Sequence, residues 1–274
     1  MTKIFVYGTL LKGLERNTAL TSSKYLGPAI IKARLFDLGS YPGIAEGHEN
    51  VIGEIYEVNE GTLINLDAIE GYRESAPESS LYLRKPITAR KLADGTSIDV
   101  ETYFYSCPNE KTIGGMDYRA FRLAKESPKE QLVIAYGSNI STERINKRFA
   151  ESGLEPAESY EQGVLPEYEL VFNKKAYGNN SVYANVRFNA SYKGCPVVAW
   201  RLNAGQVAAI DGYEGAPKHY LKVGLPFSPN VGESQLALCY IAHPDKVIDG
   251  GLVSESYRNL VRQGYIEMGW EYIF

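Results

Sequence analysis

The segment Ile4-Phe5-Val6-Tyr7-Gly8-Thr9-Leu10 returns later in the chain as Val133-Ile134-Ala135-Tyr136-Gly137-Ser138-Asn139-Ile140. In both places a short apolar run, which reads as a buried strand, enters a glycine turn. A second match runs without a gap at an offset of 144 positions. Gly53-Glu54-Ile55-Tyr56-Glu57-Val58 leads to Leu66-Asp67-Ala68-Ile69-Glu70-Gly71, and Val197-Val198-Ala199-Trp200-Arg201-Leu202 leads to Ile210-Asp211-Gly212-Tyr213-Glu214-Gly215. Between these blocks Gly61 meets Gly205 and Leu63 meets Val207. Tyr82-Leu83-Arg84 then pairs with Tyr220-Leu221-Lys222, Cys107-Pro108 with His243-Pro244, and Gly115-Met116-Asp117-Tyr118-Arg119 with Ser254-Glu255-Ser256-Tyr257-Arg258. Five blocks in one order make the chain two copies of a single domain.

The length agrees. At 274 residues the chain exceeds one ordinary core and suits two domains of about 100–150 residues. A 44% hydrophobic and 23% charged composition excludes a disordered or fibrous chain. The joint is expected in the polar stretch Ala124-Lys125-Glu126-Ser127-Pro128-Lys129-Glu130, giving domains 1–128 and 129–274. That stretch is too short for a long tether, so the two copies are expected to pack on each other. Residues 1–128 hold 15 basic and 17 acidic side chains and residues 129–274 hold 14 and 16, so each half stands at −2. Neither half offers a basic footprint for nucleic acid or anionic lipid.

Alternating segments such as Ile52–Val58 and Tyr183–Phe188 read as strands, as do Val100–Tyr105 and Leu236–Ile241. Glu60–Ile69 and Ala204–Tyr213 read as short helices with Asp-x-x-Glu near their ends. A hydroxyl-capped helix is expected over Ser141–Phe149, with a weaker one at Glu15–Leu20. A terminal helix carries Tyr118 in one copy and Tyr257 in the other. Strand-rich copies with a few short helices argue for an α+β fold in which each copy is a small mixed β-barrel with flanking short helices.

Cys107, Cys195 and Cys239 are odd in number and widely spaced, which disfavours a disulfide framework or zinc knuckle. Cys107 and Cys239 fall in strand patterns and read as packed thiols. The apolar start of the chain is too short for a secretory signal, and no run reaches the roughly 20 residues of a membrane span. A cytoplasmic protein is expected, which leaves the Asn-x-Ser triplets at Asn139, Asn179 and Asn189 as chance matches.

Tyr-Gly-Thr/Ser after the first strand, Asp-x-x-Glu-Gly further on and a late Tyr together resemble the γ-glutamylcyclotransferase-like superfamily, twice over nearly the whole chain. With Ser40-Tyr41-Pro42-Gly43, copy one resembles the γ-glutamylamine cyclotransferases. With Thr142-Glu143-Arg144-Ile145, copy two is more similar to γ-glutamylcyclotransferase proper. The resemblance implies a barrel fold and release of 5-oxoproline from a small γ-glutamyl substrate, with no metal or organic cofactor. It also implies that Glu70 and Glu214 are the general acid/base groups. The loops Tyr7, Gly8, Thr9, Leu10 and Tyr136, Gly137, Ser138, Asn139, Ile140 would hold the glutamyl moiety, helped by Tyr118 and Tyr257.

The residue types suit that chemistry. A carboxylate within reach can take a proton from an α-ammonium and return it to the leaving nitrogen. Partial desolvation beside Ile69 and Tyr213 would bring the glutamates toward neutral pKa values. A glycine turn leaving a strand presents backbone N–H groups to a carboxylate or oxyanion, and glycine lets a ligand approach the main chain closely. Other readings stay open at this level. Gly71 and Gly215 could simply cap solvated helices, and Tyr118 and Tyr257 could be core residues. Thr9 or Ser138 could serve a γ-glutamyl hydrolase, and Asp211, Glu214 and His219 could meet at a metal. One or both copies could bind γ-glutamyl ligands without turnover. The excess of tyrosine, 21 against 9 Phe and 2 Trp, suits either polar clefts or an interface. Tyr7 to Glu70 spans 63 positions and Tyr136 to Glu214 spans 78, so copy two carries 15 more, expected around Ser141–Phe149 and Lys174–Ser181. On the resemblance, copy one favours γ-glutamylamines and copy two γ-glutamyl amino acids.

Overall fold

The computed structural model describes residues 1–107, 111–176 and 180–272. Pro108 and Asn179 lie outside the described residues, as do the central positions of the segment 174–181. The chain divides into two compact units, Met1–Phe121 and Arg122–Phe274. The division falls within a helix, Tyr118–Glu126.

Unit 1 is a closed five-stranded barrel built from β1 (Thr2–Val6), β2 (Lys24–Asp37), β3 (Pro42–Val58), β4 (Tyr82–Lys91) and β5 (Ser97–Tyr105), in the order β1-β3-β2-β4-β5. The apolar run Ile4-Phe5-Val6 is wholly buried because its strand is flanked on both sides. It pairs antiparallel with β3, Ile4 opposite Tyr56, and parallel with β5, Ile4 opposite Glu101. The parallel pair closes the barrel and leaves no free edge there. Closure requires a glycine at position 53: a Cβ there would lie 2.2 Å from the Val6 carbonyl oxygen.

Helix α1 (Glu60–Glu70) starts where the Asn59 side chain accepts the Thr62 N–H, and it ends at Gly71, whose φ of 64° is left-handed. This places Glu70 as the last helical residue. Helix α2 (Tyr118–Glu126) follows the barrel. Instead of the helix read at Glu15–Leu20, a single 3₁₀ turn covers Asn17–Leu20.

Unit 2 repeats the plan with β6 (Gln131–Ala135), β7 (Tyr160–Leu165), β10 (Cys195–Leu202), β11 (Tyr220–Pro229) and β12 (Gln235–Ala242), again a closed barrel. Between β7 and β10 a separate hairpin rises, β8 (Tyr168–Lys175) and β9 (Val182–Phe188). This hairpin, with helix α3 (Thr142–Glu151), accounts for the longer spacing in the second copy. Helix α4 (Ala204–Glu214) carries a reciprocal capping box between Asn203 and Gln206 and ends at Gly215, φ 61°. Helix α5 (Glu255–Glu267) follows the last strand.

The cysteine reading needs one correction. Cys107 lies beyond the end of β5 and is exposed, because that strand stops at Tyr105; Cys239 is packed within β12, as expected. No described helix is long and apolar enough to cross a membrane.

Candidate active site

In unit 1 a cavity of about 210 Å³ opens between the end of β1 and the end of α1. Its wall includes Tyr7, Gly8, Thr9 and Leu10 from the glycine turn, Glu70 from the helix, and Arg16, Tyr41, Pro42, Tyr82 and Tyr103. Leu11 N–H bonds back to the Gly8 carbonyl, which folds the turn. The N–H groups of Gly8, Thr9 and Leu10 donate to no protein acceptor among the described residues, so they remain available to a ligand. Glycine at position 8 has a packing cause as well as a chemical one: a Cβ there would meet the Pro42 ring at 2.7 Å.

Around the cavity runs a network of tyrosines. Tyr7 Oη donates to the Tyr103 carbonyl at 2.6 Å, Tyr103 Oη donates to Asp67 Oδ1 at 2.8 Å, and Arg84 Nε stands 3.1 Å from the same oxygen. Tyr82 Oη donates to the Pro42 carbonyl at 2.7 Å. Unit 2 reproduces each link. Tyr136 donates to the Tyr240 carbonyl, Tyr240 to Asp211 at 2.7 Å, Lys222 Nζ pairs with Asp211 at 2.7 Å, and Tyr220 donates to the Ala184 carbonyl at 2.7 Å. The Asp of Asp-x-x-Glu thus ties the helix end to the strand whose carbonyl receives the loop tyrosine. Burial raises the pKa values of all six of these tyrosines. They therefore stay neutral and act as donors.

The two glutamates differ. Among the described residues Glu70 makes no hydrogen bond or ion pair, and burial raises its carboxyl to about 7 against a weaker opposing pull from Arg16. Glu214 Oε1 instead accepts from Asn139 Nδ2 at 3.0 Å and from Arg148 Nη1 at 3.3 Å. Trp200 Nε1 donates to the Asn139 carbonyl at 2.9 Å, holding that turn. Unit 2 has a narrow inner cavity of about 50 Å³ beside Gly137, Ser138 and Asn139. An outer chamber of about 380 Å³ shares Ser138, Glu214, Tyr220 and Tyr257 with it.

Of the residues singled out in the sequence, the structure does not bring Tyr118 or Ile140 to these cavities. Tyr118 is buried in the unit 1 core with its ring stacked on Phe121 at 6.2 Å. Ile140 is buried where Gly264 packs on it. Tyr257 does reach the site. Its hydroxyl accepts the Ala184 N–H at 3.3 Å, and burial lifts its pKa to about 12.

The pattern did not assign site roles to Tyr82, Tyr103, Tyr220 and Tyr240, to Arg16, or to the three cations of the unit 2 chamber, Arg144, Arg148 and Lys174. The Tyr-Leu-Arg/Lys repeat marked two of the four tyrosines. Asp211 and Glu214 are engaged separately, by Tyr240 and Lys222 and by Asn139 and Arg148, and no described cluster of three or more His, Cys, Asp or Glu could hold a metal.

Comparison with known proteins bears on this geometry. The family profile described as gamma-glutamyl cyclotransferase, AIG2-like, matches residues 4–120. The gamma-L-glutamyl-butirosin B gamma-glutamyl cyclotransferase of Niallia circulans is 31% identical over 133 residues, covering 48% of this chain and 84% of that protein. The chain belongs to the γ-glutamylcyclotransferase family. A Vibrio cholerae protein named for the γ-glutamylcyclotransferase activity is 49% identical over 69 residues, which span 24% of this chain and 60% of the relative's length. The crystal structure of YkqA from Bacillus subtilis has the same fold over both barrels, with a TM-score of 0.77 at 20% identity, covering 97% of this chain and 92% of that one. In this γ-glutamylcyclotransferase-family chain the barrel plan is therefore present twice.

Proposed function

We propose that each unit is a cyclotransferase that releases 5-oxoproline from a small γ-glutamyl compound. The observation that carries this reading is the cavity in which unpartnered main-chain N–H groups of Gly8, Thr9 and Leu10 share a wall with the Glu70 carboxyl. Glu70, with its pKa near 7, takes a proton from the substrate α-ammonium. The freed amine attacks the γ-carbonyl carbon, the C–N bond of the ring forms, and charge develops on the carbonyl oxygen. Glycine-turn N–H groups suit the α-carboxylate or that oxyanion. Glu70 then returns the proton to the departing nitrogen as the original amide bond breaks, and the second proton of the new ring nitrogen passes to the released amine, which leaves as its ammonium. The products are 5-oxoproline and the amine. Ring closure is intramolecular, so a cavity that holds the folded glutamyl conformer lowers the barrier by roughly several kcal/mol through orientation alone. Glu214, with Ser138 and Asn139, occupies the same place in unit 2.

Finer preferences follow the walls that differ. Unit 1, whose chamber has one cation, is assigned γ-glutamylamines, and unit 2 γ-glutamyl amino acids. The test is incubation of the full chain, and of its Glu70→Gln and Glu214→Gln variants, with both substrate classes. Release of 5-oxoproline is expected from each single variant and none from the double variant. Release of glutamate instead would assign the chain to hydrolysis through Thr9 or Ser138.

A further inference from the structure

The outer chamber of unit 2 holds more positive charge than its glutamate needs. Arg144, Arg148 and Lys174 face it, against one carboxylate, Glu214. His219 also lines it, and burial with nearby Lys174 and Lys246 lowers that imidazole's pKa, so it adds no charge at neutral pH. In unit 1 the corresponding cavity holds Arg16 and Glu70, one charge of each sign.

Lys174 is the decisive residue. Its side chain is 5% exposed, yet among the described residues it makes no ion pair and no hydrogen bond. Its ammonium lies over the rings of Tyr183 and Tyr220, 5.4 and 5.3 Å from their centroids, which orients it without neutralising it. The residue comes from the β8–β9 hairpin, at a register shift between Phe172 and Lys174. A bulge of this kind re-aims the side chain that follows it. The hairpin is anchored: buried Asn185 donates to Asn173 Oδ1 at 3.0 Å and accepts the Ala242 N–H at 2.9 Å. Arg144 Nε is likewise buried without a partner. Burial lowers the pKa of Lys174, and Glu214, already paired with Arg148, is the one carboxylate lining the chamber to offset three cations, so an incoming anion would be favoured there.

We infer that Lys174 and Arg144 form a recognition site for a leaving group that carries an oxyanion, carboxylate or phosphate, beside Glu214. This rests on the cyclotransferase reading of unit 2 and adds a charge rule to it. Arg148 stays with Glu214, stacked 4.7 Å over the Tyr213 ring, and completes the positive wall.

The experiment uses the full-length Glu70→Gln chain, in which only unit 2 turns over. Its substrates are γ-glutamylalanine, γ-glutamyl-phosphoethanolamine and neutral γ-glutamylethylamide. At least tenfold higher kcat/KM for one or both anionic substrates over the neutral one is expected, and which anion leads identifies the source of the charge. Lys174→Met and Arg144→Met should each shrink that ratio about tenfold, chiefly through KM, while Lys174→Arg retains it. In the Glu214→Gln chain, reporting unit 1, the ratio should not exceed one, since that unit is assigned the neutral γ-glutamylamine. Equal kcat/KM for all three substrates in the Glu70→Gln chain, or a preference that survives both Met variants, overturns the site. Calorimetric binding of γ-glutamylalanine and γ-glutamylethylamide to the same chains separates the two readings. Absence of 5-oxoproline would sink cyclisation alone, whereas γ-glutamylalanine affinity unaffected by Lys174→Met would sink the charge site whether or not turnover is seen.

Discussion

The Arg148 guanidinium lies 3.3 Å from the Glu214 carboxylate, an ion pair that Glu70 lacks among the described residues. Arg148 comes from the well-formed helix α3, whereas the same stretch of unit 1 is only the 3₁₀ turn at Asn17–Leu20. One change of local structure, from a turn to a helix of ten residues, therefore gives the two glutamates different electrostatic settings. In unit 1 desolvation dominates and the proton is held near neutrality. In unit 2 a cation and the Asn139 amide occupy the carboxylate oxygen.

Burial of Glu70 without a partner carries a stability cost that appears only when the group ionises. Its folded pKa of about 7 exceeds the ordinary value of 4.5, so between those values the folded chain holds more protons than the unfolded one. Stability contributed by this group therefore falls as pH rises from 4.5 through 7. Glu70→Gln should stabilise unit 1 by on the order of 2–3 kcal/mol above pH 7.5, with the difference vanishing near pH 4.5. Denaturant unfolding at pH 4.5 and pH 8 checks this. Equal effects at both values would show that the carboxyl is not desolvated.

The same proton sets the rate. In the Glu214→Gln chain, where unit 1 alone acts, kcat/KM should rise with pH through about 7 and level off above it, because the base must be unprotonated to accept from the ammonium. Glu70→Gln should lower unit 1 turnover about 100- to 10,000-fold. A profile flat between pH 5.5 and 8 would remove Glu70 from the role.

Repetition made much of the fold and site legible from the amino acids alone. The ends of the two Asp-x-x-Glu helices were legible because a glycine, Gly71 or Gly215, follows each, and the first strands because an uninterrupted apolar run must be flanked on both sides; the capping Asn59 and Asn203 emerged only with the fold. The tyrosine network was not legible. Tyr103 and Tyr240 meet Asp67 and Asp211 across 36 and 29 positions, through barrel closure rather than local spacing. Tyr118 and Tyr257 show the opposite failure. They align in sequence, yet one packs on Phe121, whereas the other meets the Ala184 N–H of β9. Lys174 was legible only as part of a polar insertion. Its burial follows from the fold of that hairpin.

Two glycines test the barrel itself. A Cβ at Gly53 would lie 2.2 Å from the Val6 oxygen, and one at Gly163 would lie 2.2 Å from the Ser228 oxygen, both backbone atoms that cannot turn aside. Gly53→Ala and Gly163→Ala should each destabilise their own unit by about 1–3 kcal/mol or more. Gly114→Ala, where a Cβ meets nothing within 4 Å, should stay within about 0.5 kcal/mol. Thermal unfolding of the three variants compares them directly, and equal shifts would contradict the close approach.

Unit 1 also carries a buried charge cluster that its repeat lacks. Arg119 and Glu54 are 0% and 1% exposed with Nη1 and Oε1 2.6 Å apart, and Asp117 is buried beside them. Both partners grip the glycine loop: Arg119 donates to the Lys12 carbonyl at 3.1 Å, and the Lys12 N–H donates to Glu54 at 2.8 Å. Tyr56 Oη adds a bond to Glu54 at 3.0 Å. The residue matching Glu54 in the second copy is Val198, fully buried in β10, so no such clamp exists there. Removing one partner of a buried pair strands the other charge, at a cost of about 3–5 kcal/mol. Glu54→Gln should therefore destabilise unit 1 and, by loosening the loop that presents Gly8 to Leu10 and Arg16, raise KM for its substrate. Unit 2 should be untouched. The measurement is 5-oxoproline release after graded heating, taken in Glu214→Gln and Glu70→Gln backgrounds. Glu54→Gln should lower the inactivation temperature in the first background and leave it unchanged in the second. Equal loss in both would mean that the cluster supports the whole chain rather than the unit 1 loop.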